Sequence, residues 1–178
     1  MIIAAAEKRR TAMNTDAQSA TLRPYVRSAE PSNSFWYVGQ LMSALAEGED
    51  TGGQLTVYEI LFPPDSGPPL HVHEREDEAF YVIEGSLSVR MGDEEFEAPA
   101  GSFVFQPRGI PHTFGSSSEG ARALLFVVPS GFEGFFHALG RPAEAMALPP
   151  PAGPPSPEQM AAMEAALAEH SCTFVHEG

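Results

Sequence analysis

The chain has 178 residues, 43% of them hydrophobic and 12 of them Phe, which gives room for one domain with a proper core and too little for two. Ten Lys and Arg against 24 Asp and Glu leave a formal charge of −14. A balance that acidic argues against nucleic acid or an anionic membrane as partner, because phosphate contacts need a basic surface. The one cysteine, Cys172, can form no internal disulfide and reads as a small apolar residue near a chain end. No apolar run approaches the roughly 18 residues of a membrane-spanning helix. Met1 to Ala6 followed by Lys8-Arg9-Arg10 reverses the order of a signal peptide. The expectation is a cytoplasmic protein with a disordered leader over residues 1–20.

In chain order, the aromatic run Phe35-Trp36-Tyr37-Val38 predicts a first strand within Ser34 to Leu41. Leu41 to Ala46 has helical character, and Glu47 to Gly53 reads as a turn. Leu55 to Phe62 predicts a strand with two largely apolar rows, of which Tyr58, Ile60 and Phe62 form the better inner row because the other contains Glu59. Pro63 to Pro69 forbids regular structure and gives a stiff, extended approach into His71. Glu78 to Ile83 and Ser86 to Met91 read as two strands joined by a tight turn at Glu84-Gly85. Gly92-Asp93 is a second hairpin signal, after which Glu94 to Ala98 is acidic and expected to face solvent. Ser102 to Gln106 and Arg122 to Val128 complete the strands. Short strands punctuated by Gly and Pro indicate an all-β sandwich or barrel. Beyond them, Phe132, Phe135, Phe136 and Leu139 have helical spacing, stopped by Gly140. Leu148 to Pro157 is a proline-rich linker. Ser156-Pro157-Glu158-Gln159 opens a last helix with a capping box, and its stripe of Met160, Met163 and Leu167 reads as a packing face.

The chemistry concentrates at His71-Val72-His73 and Glu78. On one strand the period of two sets both imidazoles on the same face, and a carboxylate five residues on can return to it after a short turn. Two imidazoles and one oxygen suit a divalent transition metal. His112, at the start of a strand after Pro107-Arg108-Gly109-Ile110-Pro111, is the candidate fourth ligand, since such a strand can face His71 and His73 across a small barrel.

With these residues in place the sequence resembles the cupin superfamily. The first cupin motif is matched by His71-Val72-His73, four residues, Glu78, six residues and Gly85, the second by Gly101, Pro107-Arg108-Gly109 and His112. Two positions depart: Asp65 stands where the first motif opens on glycine, and Ser116 where the second ends on asparagine. The resemblance implies an all-β cupin fold, a jelly-roll barrel or double-stranded β-helix with one or two C-terminal helices. It divides the chain into a barrel over 21–147 and a linker with a helix packed on the barrel over 148–178. It also implies His71, His73, Glu78 and His112 as ligands of one divalent transition metal per chain, with Ni, Fe, Mn, Co, Zn and Cu all open. Within the superfamily the chain looks most like small single-domain proteins related to quercetin 2,3-dioxygenase, through Trp36-Tyr37-Val38-Gly39, Glu76 to Val82 and Gly131 to Phe136.

That likeness implies a metal-dependent dioxygenase that cleaves a flavonol or similar enolisable aromatic substrate with dioxygen, Glu78 acting as ligand and general base. By strand parity Tyr58, Phe80 and Phe114 are expected to line the substrate cavity. A metal-dependent isomerase, epimerase or lyase and a non-catalytic small-molecule-binding cupin are the other readings. A homodimer is expected, through sheet edges or an exchanged strand at Phe35-Trp36-Tyr37.

Overall fold

The computed structural model describes residues 22–151, 153 and 155–176, so the leader expected over residues 1–20 lies outside the described residues. A 3-10 turn at Pro31–Asn33 leads into β1 (Ser34–Tyr37), β2 (Gln40–Ala46), a single helical turn α1 (Gly48–Thr51) and β3 (Thr56–Phe62). Then come β4 (His71–His73), β5 (Asp77–Met91), β6 (Glu94–Pro99), β7 (Phe103–Gln106) and β8 (His112–Val128). The chain continues as α2 (Glu133–Leu139), β9 (Arg141–Pro142), α3 (Pro157–Glu169) and β10 (Cys172–Phe174). The all-β architecture is the one that the strand pattern predicts, and the jelly roll with its longer helices near the C-terminus is what the cupin resemblance implies.

Two long antiparallel strands organise the barrel. β5 and β8 pair from Asp77↔Val128 to Met91↔His112, with irregularities near Glu84 and Leu87. β8 also carries β3 and β4, which extends the sheet in the order β10-β4-β8-β3-β2-β1-β9, while β6 and β7 attach to β5. The inner row of β3 is the predicted one: Thr56, Tyr58, Ile60 and Phe62 are buried, and Glu59 on the other row pairs with Arg122. β1 is bonded on both sides within its own chain, to β2 and at Phe35 and Trp36 to β9.

Three sequence expectations are corrected. Leu41 to Ala46 is not helical. It lies in a strand bonded to β1 and β3, and this two-sided pairing overrides the helix preference of its Leu, Met and Ala residues. The strand expected over Ser34 to Leu41 is broken at Val38 and Gly39, both with positive φ. Glu84-Gly85 does not reverse the chain: β5 runs through it, with Gly85 at φ 70. A Cβ there would sit 2.3 Å from the Gly120 carbonyl oxygen, so this glycine permits a bulge and a close approach of β8.

The two departures from the cupin motifs have local explanations. Asp65 adopts φ 51, in the left-handed region that glycine enters freely and aspartate tolerates better than most residues. Ser116 replaces an amide with a compact hub. Its Oγ donates to the Pro63 carbonyl at 2.6 Å and accepts from the Ser66 amide at 3.0 Å. The proline-rich approach to β4 is thereby fastened to β8.

Candidate metal centre

β4 is held between β10, which pairs Cys172 with His73 and Phe174 with His71, and β8, which sets His71 directly opposite His112. His71 and His73 share a strand face, and Glu78, second residue of β5, returns to it. One donor atom from each of His71, His73, Glu78 and His112 lies within 4.8 Å of the others. All four are buried, at 6%, 1%, 4% and 1% exposure. The Glu78 carboxylate divides between two imidazoles, Oε1 at 3.4 Å from His73 Nε2 and Oε2 at 3.4 Å from His112 Nε2.

The backbone orients two of the rings. His71 Nδ1 lies 2.9 Å from the Pro69 carbonyl oxygen and His112 Nδ1 lies 2.9 Å from that of Ile110. Each accepting carbonyl sits two residues back, in a proline-containing segment that is not part of a strand. With Nδ1 donating, Nε2 is left to face the centre, the tautomer a metal requires. The loop before β8 is anchored too: Arg108 grips Asp77 with a two-pronged guanidinium contact, and the Gly109 amide donates to the His73 carbonyl. The residues therefore fit a divalent cation. Four nitrogen and oxygen donors converge, and two of them, His112 Nε2 and Glu78 Oε2, are buried without a hydrogen-bond partner among the described residues.

At His71, Glu78 and His73 burial is the largest influence and opposes charge. At His71 it prevails, and with the neighbouring imidazoles His112 and His73 it holds the ring down at about 4. At Glu78 burial is outweighed by the imidazoles of His73, His112 and His71, which hold the carboxyl down at about 2. At His73 burial is outweighed by Glu78, Cys172 and Glu76, and the ring is pushed up to about 10. The two histidines act on stability in opposite directions. The unfolded chain protonates more readily than folded His71, so that contribution is full above pH 6.5 and is lost as pH falls toward about 4. Folded His73 holds its proton more tightly than the unfolded chain, so its contribution is full below pH 6.5 and is lost as pH rises toward about 10. Chelator-treated protein is expected to be most stable near pH 6.5, with its urea midpoint falling on both sides. A midpoint that does not move across that span would overturn this account of the cluster.

The centre opens into a cavity of about 520 Å³, within the usual range for a small-molecule site. Phe114 lines it, but Tyr58 and Phe80 do not. Both point inward as parity requires, yet the Tyr58 hydroxyl is taken by Glu47. The Phe80 ring is packed between Phe62 and Phe114 at centroid distances of 6.4 and 4.6 Å. Inward direction settles only which residues enter the barrel, and these two fill its core. The walls that sequence reasoning missed come from Tyr37, from Phe132, Phe135 and Phe136 around α2, and from Met160, Met163 and Leu167 on α3. Burial, with nearby Cys172 and Glu78, holds the Tyr37 phenol protonated, well above its usual range. The Phe132 ring lies 4.4 Å from that of His73. The apolar stripe of α3 is both a packing face and a cavity wall. Phe spacing on α2 was the available signal, because a helix laid across a barrel mouth turns its apolar side to the cavity.

No helix among the described residues is long and apolar enough to cross a membrane. The family model for the cupin domain matches residues 58–129. Quercetin 2,3-dioxygenase of Bacillus subtilis is 29% identical over 126 residues, which cover 71% of this chain and 37% of that protein. An uncharacterised protein of Streptomyces coelicolor is 33% identical over 54 residues, 30% of this chain and 51% of that protein. The chain thus spans roughly a third to a half of the length of these curated relatives. An RmlC-like cupin from Shewanella frigidimarina shares the fold at a TM-score of 0.51 and 19% identity, over 60% of this chain and 93% of that one. The strands matched by the domain model are those that bring His71, His73, Glu78 and His112 together, and residues 58–129 form a cupin domain.

Proposed function

We propose that this protein is a metal-dependent dioxygenase that oxidatively cleaves a flavonol or a similar enolisable aromatic substrate. The observation that carries the reading is the three-histidine, one-glutamate group opening directly into a cavity walled by aromatic and thioether side chains. The dioxygenase of Bacillus subtilis among the relatives supports it.

His71, His73, Glu78 and His112 would hold one divalent ion of the Ni, Fe, Mn, Co, Zn or Cu kind. Such an ion supplies a Lewis-acidic centre with positions open to an anionic oxygen and to dioxygen. Glu78, ionised and with one oxygen free of hydrogen bonds, is placed to take the hydroxyl proton of an enolisable substrate. Phe114, Phe132 and Phe136 line the cavity and would pack against a flat molecule. Tyr37, kept protonated, presents a donor at the cavity wall.

The test is oxygen uptake with quercetin by protein loaded separately with Ni(II), Co(II), Mn(II) and Fe(II). Uptake that depends on both metal and flavonol is expected with at least one of them. No uptake with any of the four would overturn the flavonol assignment. Tight metal binding without uptake would favour isomerase, lyase or binding chemistry in the same cavity.

A further inference from the structure

Two residues outside the ligand set, Glu76 and Gln106, have buried side-chain polar atoms without a hydrogen-bond partner among the described residues. Gln106 pairs in register with Glu78. Glu76 lies between His73 and Glu78 in the first motif, at 1% exposure. Its Oε2 is 3.8 Å from His73 Nδ1, and that nitrogen is itself buried and lacks a hydrogen-bond partner. A buried carboxylate facing an unsatisfied imidazole nitrogen calls for an explanation, since burying either group alone is costly.

The other two imidazoles supply the contrast. His71 and His112 each direct Nδ1 to a backbone carbonyl two residues back, in a segment outside any strand. His73 has no such option, because the residue two back is His71, inside β4. Its Nε2 faces Glu78 and its Nδ1 faces Glu76. We infer that Glu76 is the positioning residue of the centre: its carboxylate is the acceptor for the Nδ1–H of His73, fixes that ring with Nε2 toward the metal, and makes it a stronger donor than the two carbonyl-partnered rings.

The inference rests on the proposed metal site and adds an asymmetry to it. A carboxylate partner raises the electron density of an imidazole more than a carbonyl partner does. Loss of Glu76 should therefore weaken metal binding and alter the electronic environment of the ion, while every first ligand remains in place.

Cobalt(II) binding to the full chain, followed by visible absorption and by titration, tests this. Glu76→Gln is expected to weaken Co(II) binding by about 10- to 100-fold, the range for loss of an outer partner, and to shift the visible bands of the bound ion. Glu76→Asp should restore part of the affinity and move the bands back toward the parent. Glu74→Gln, the same charge change at an exposed neighbour, should match the parent in both readouts. If the parent binds Co(II) and Glu76→Gln binds it with equal affinity and an unchanged spectrum, the role of Glu76 is overturned while the metal site stands. Weakened binding with an unchanged spectrum, or equal weakening in Glu74→Gln, would also overturn it. A parent that binds no Co(II) would overturn the metal site and this inference with it.

Discussion

A His112→Ala variant is expected to bind cobalt(II) more than about 100-fold more weakly than the parent, exceeding the loss that follows removal of an outer partner. His112 is buried, opposite His71 in register, and its Nε2 approaches Glu78 without a hydrogen bond. Its ring is aimed by Ile110 before any ion arrives, so the donor is preorganised and its removal forfeits a site already formed. Among the described residues no other grouping of His, Cys, Asp and Glu could replace it. His137→Ala is the matched control. That histidine also meets a carboxylate, Glu47, at 2.8 Å, but on α2, and it is not part of the metal-binding group. Its loss should leave Co(II) affinity unchanged. Titration of both variants against the parent decides the matter, and a His112→Ala protein with parental affinity would exclude His112 as a ligand.

How far the sequence led depends on what kind of information each feature needs. Most of the barrel strands and the alternation along β3 were legible, because a period of two and Gly/Pro punctuation are local. The four site residues could be named for the same reason, since each sits at a fixed offset within a motif. What failed was non-local. Leu41 to Ala46 looks helical until β1 and β3 are present on either side of it. Gly85 looks like a hairpin turn until the close approach of Gly120 explains the bulge. Parity gave inward direction for Tyr58 and Phe80 but not depth along the barrel axis, and depth separates core from cavity. The outer wall from α3 and the edge strand β10 depend on where a distant segment folds back onto β4, which no local pattern encodes. Glu76 was hidden differently. It is one acidic residue in a run of them, and only its burial against His73 distinguishes it from Glu74.

Gly67→Ala is expected to be the most damaging small substitution near the site, lowering stability by about 3 kcal/mol. A Cβ at Gly67 would lie 1.8 Å from the Phe114 carbonyl oxygen, 2.9 Å from its carbonyl carbon and 3.1 Å from Gly115 Cα. These are backbone atoms, so no rotamer change can relieve the clash. Relief requires the segment before β4 to separate from β8. That segment is tied down around the same point: the Ser116 amide donates to Ser66 at 2.8 Å, and the Thr113 hydroxyl donates to Pro68 at 2.6 Å. Separation would strain or break those bonds. It would also move both halves of the metal centre, because His71 lies four residues after Gly67 and His112 two residues before Phe114. A urea midpoint well below the parent and weakened Co(II) binding are therefore expected together. Asp65→Gly, two residues away, is the counterpart. Aspartate there occupies the left-handed region at φ 51, so glycine relieves strain while adding freedom to the unfolded chain. The two effects should cancel to within about 1 kcal/mol. Parental stability in Gly67→Ala would mean that the approach to β4 is loosely held, and that the placement of His71 owes little to its contact with β8.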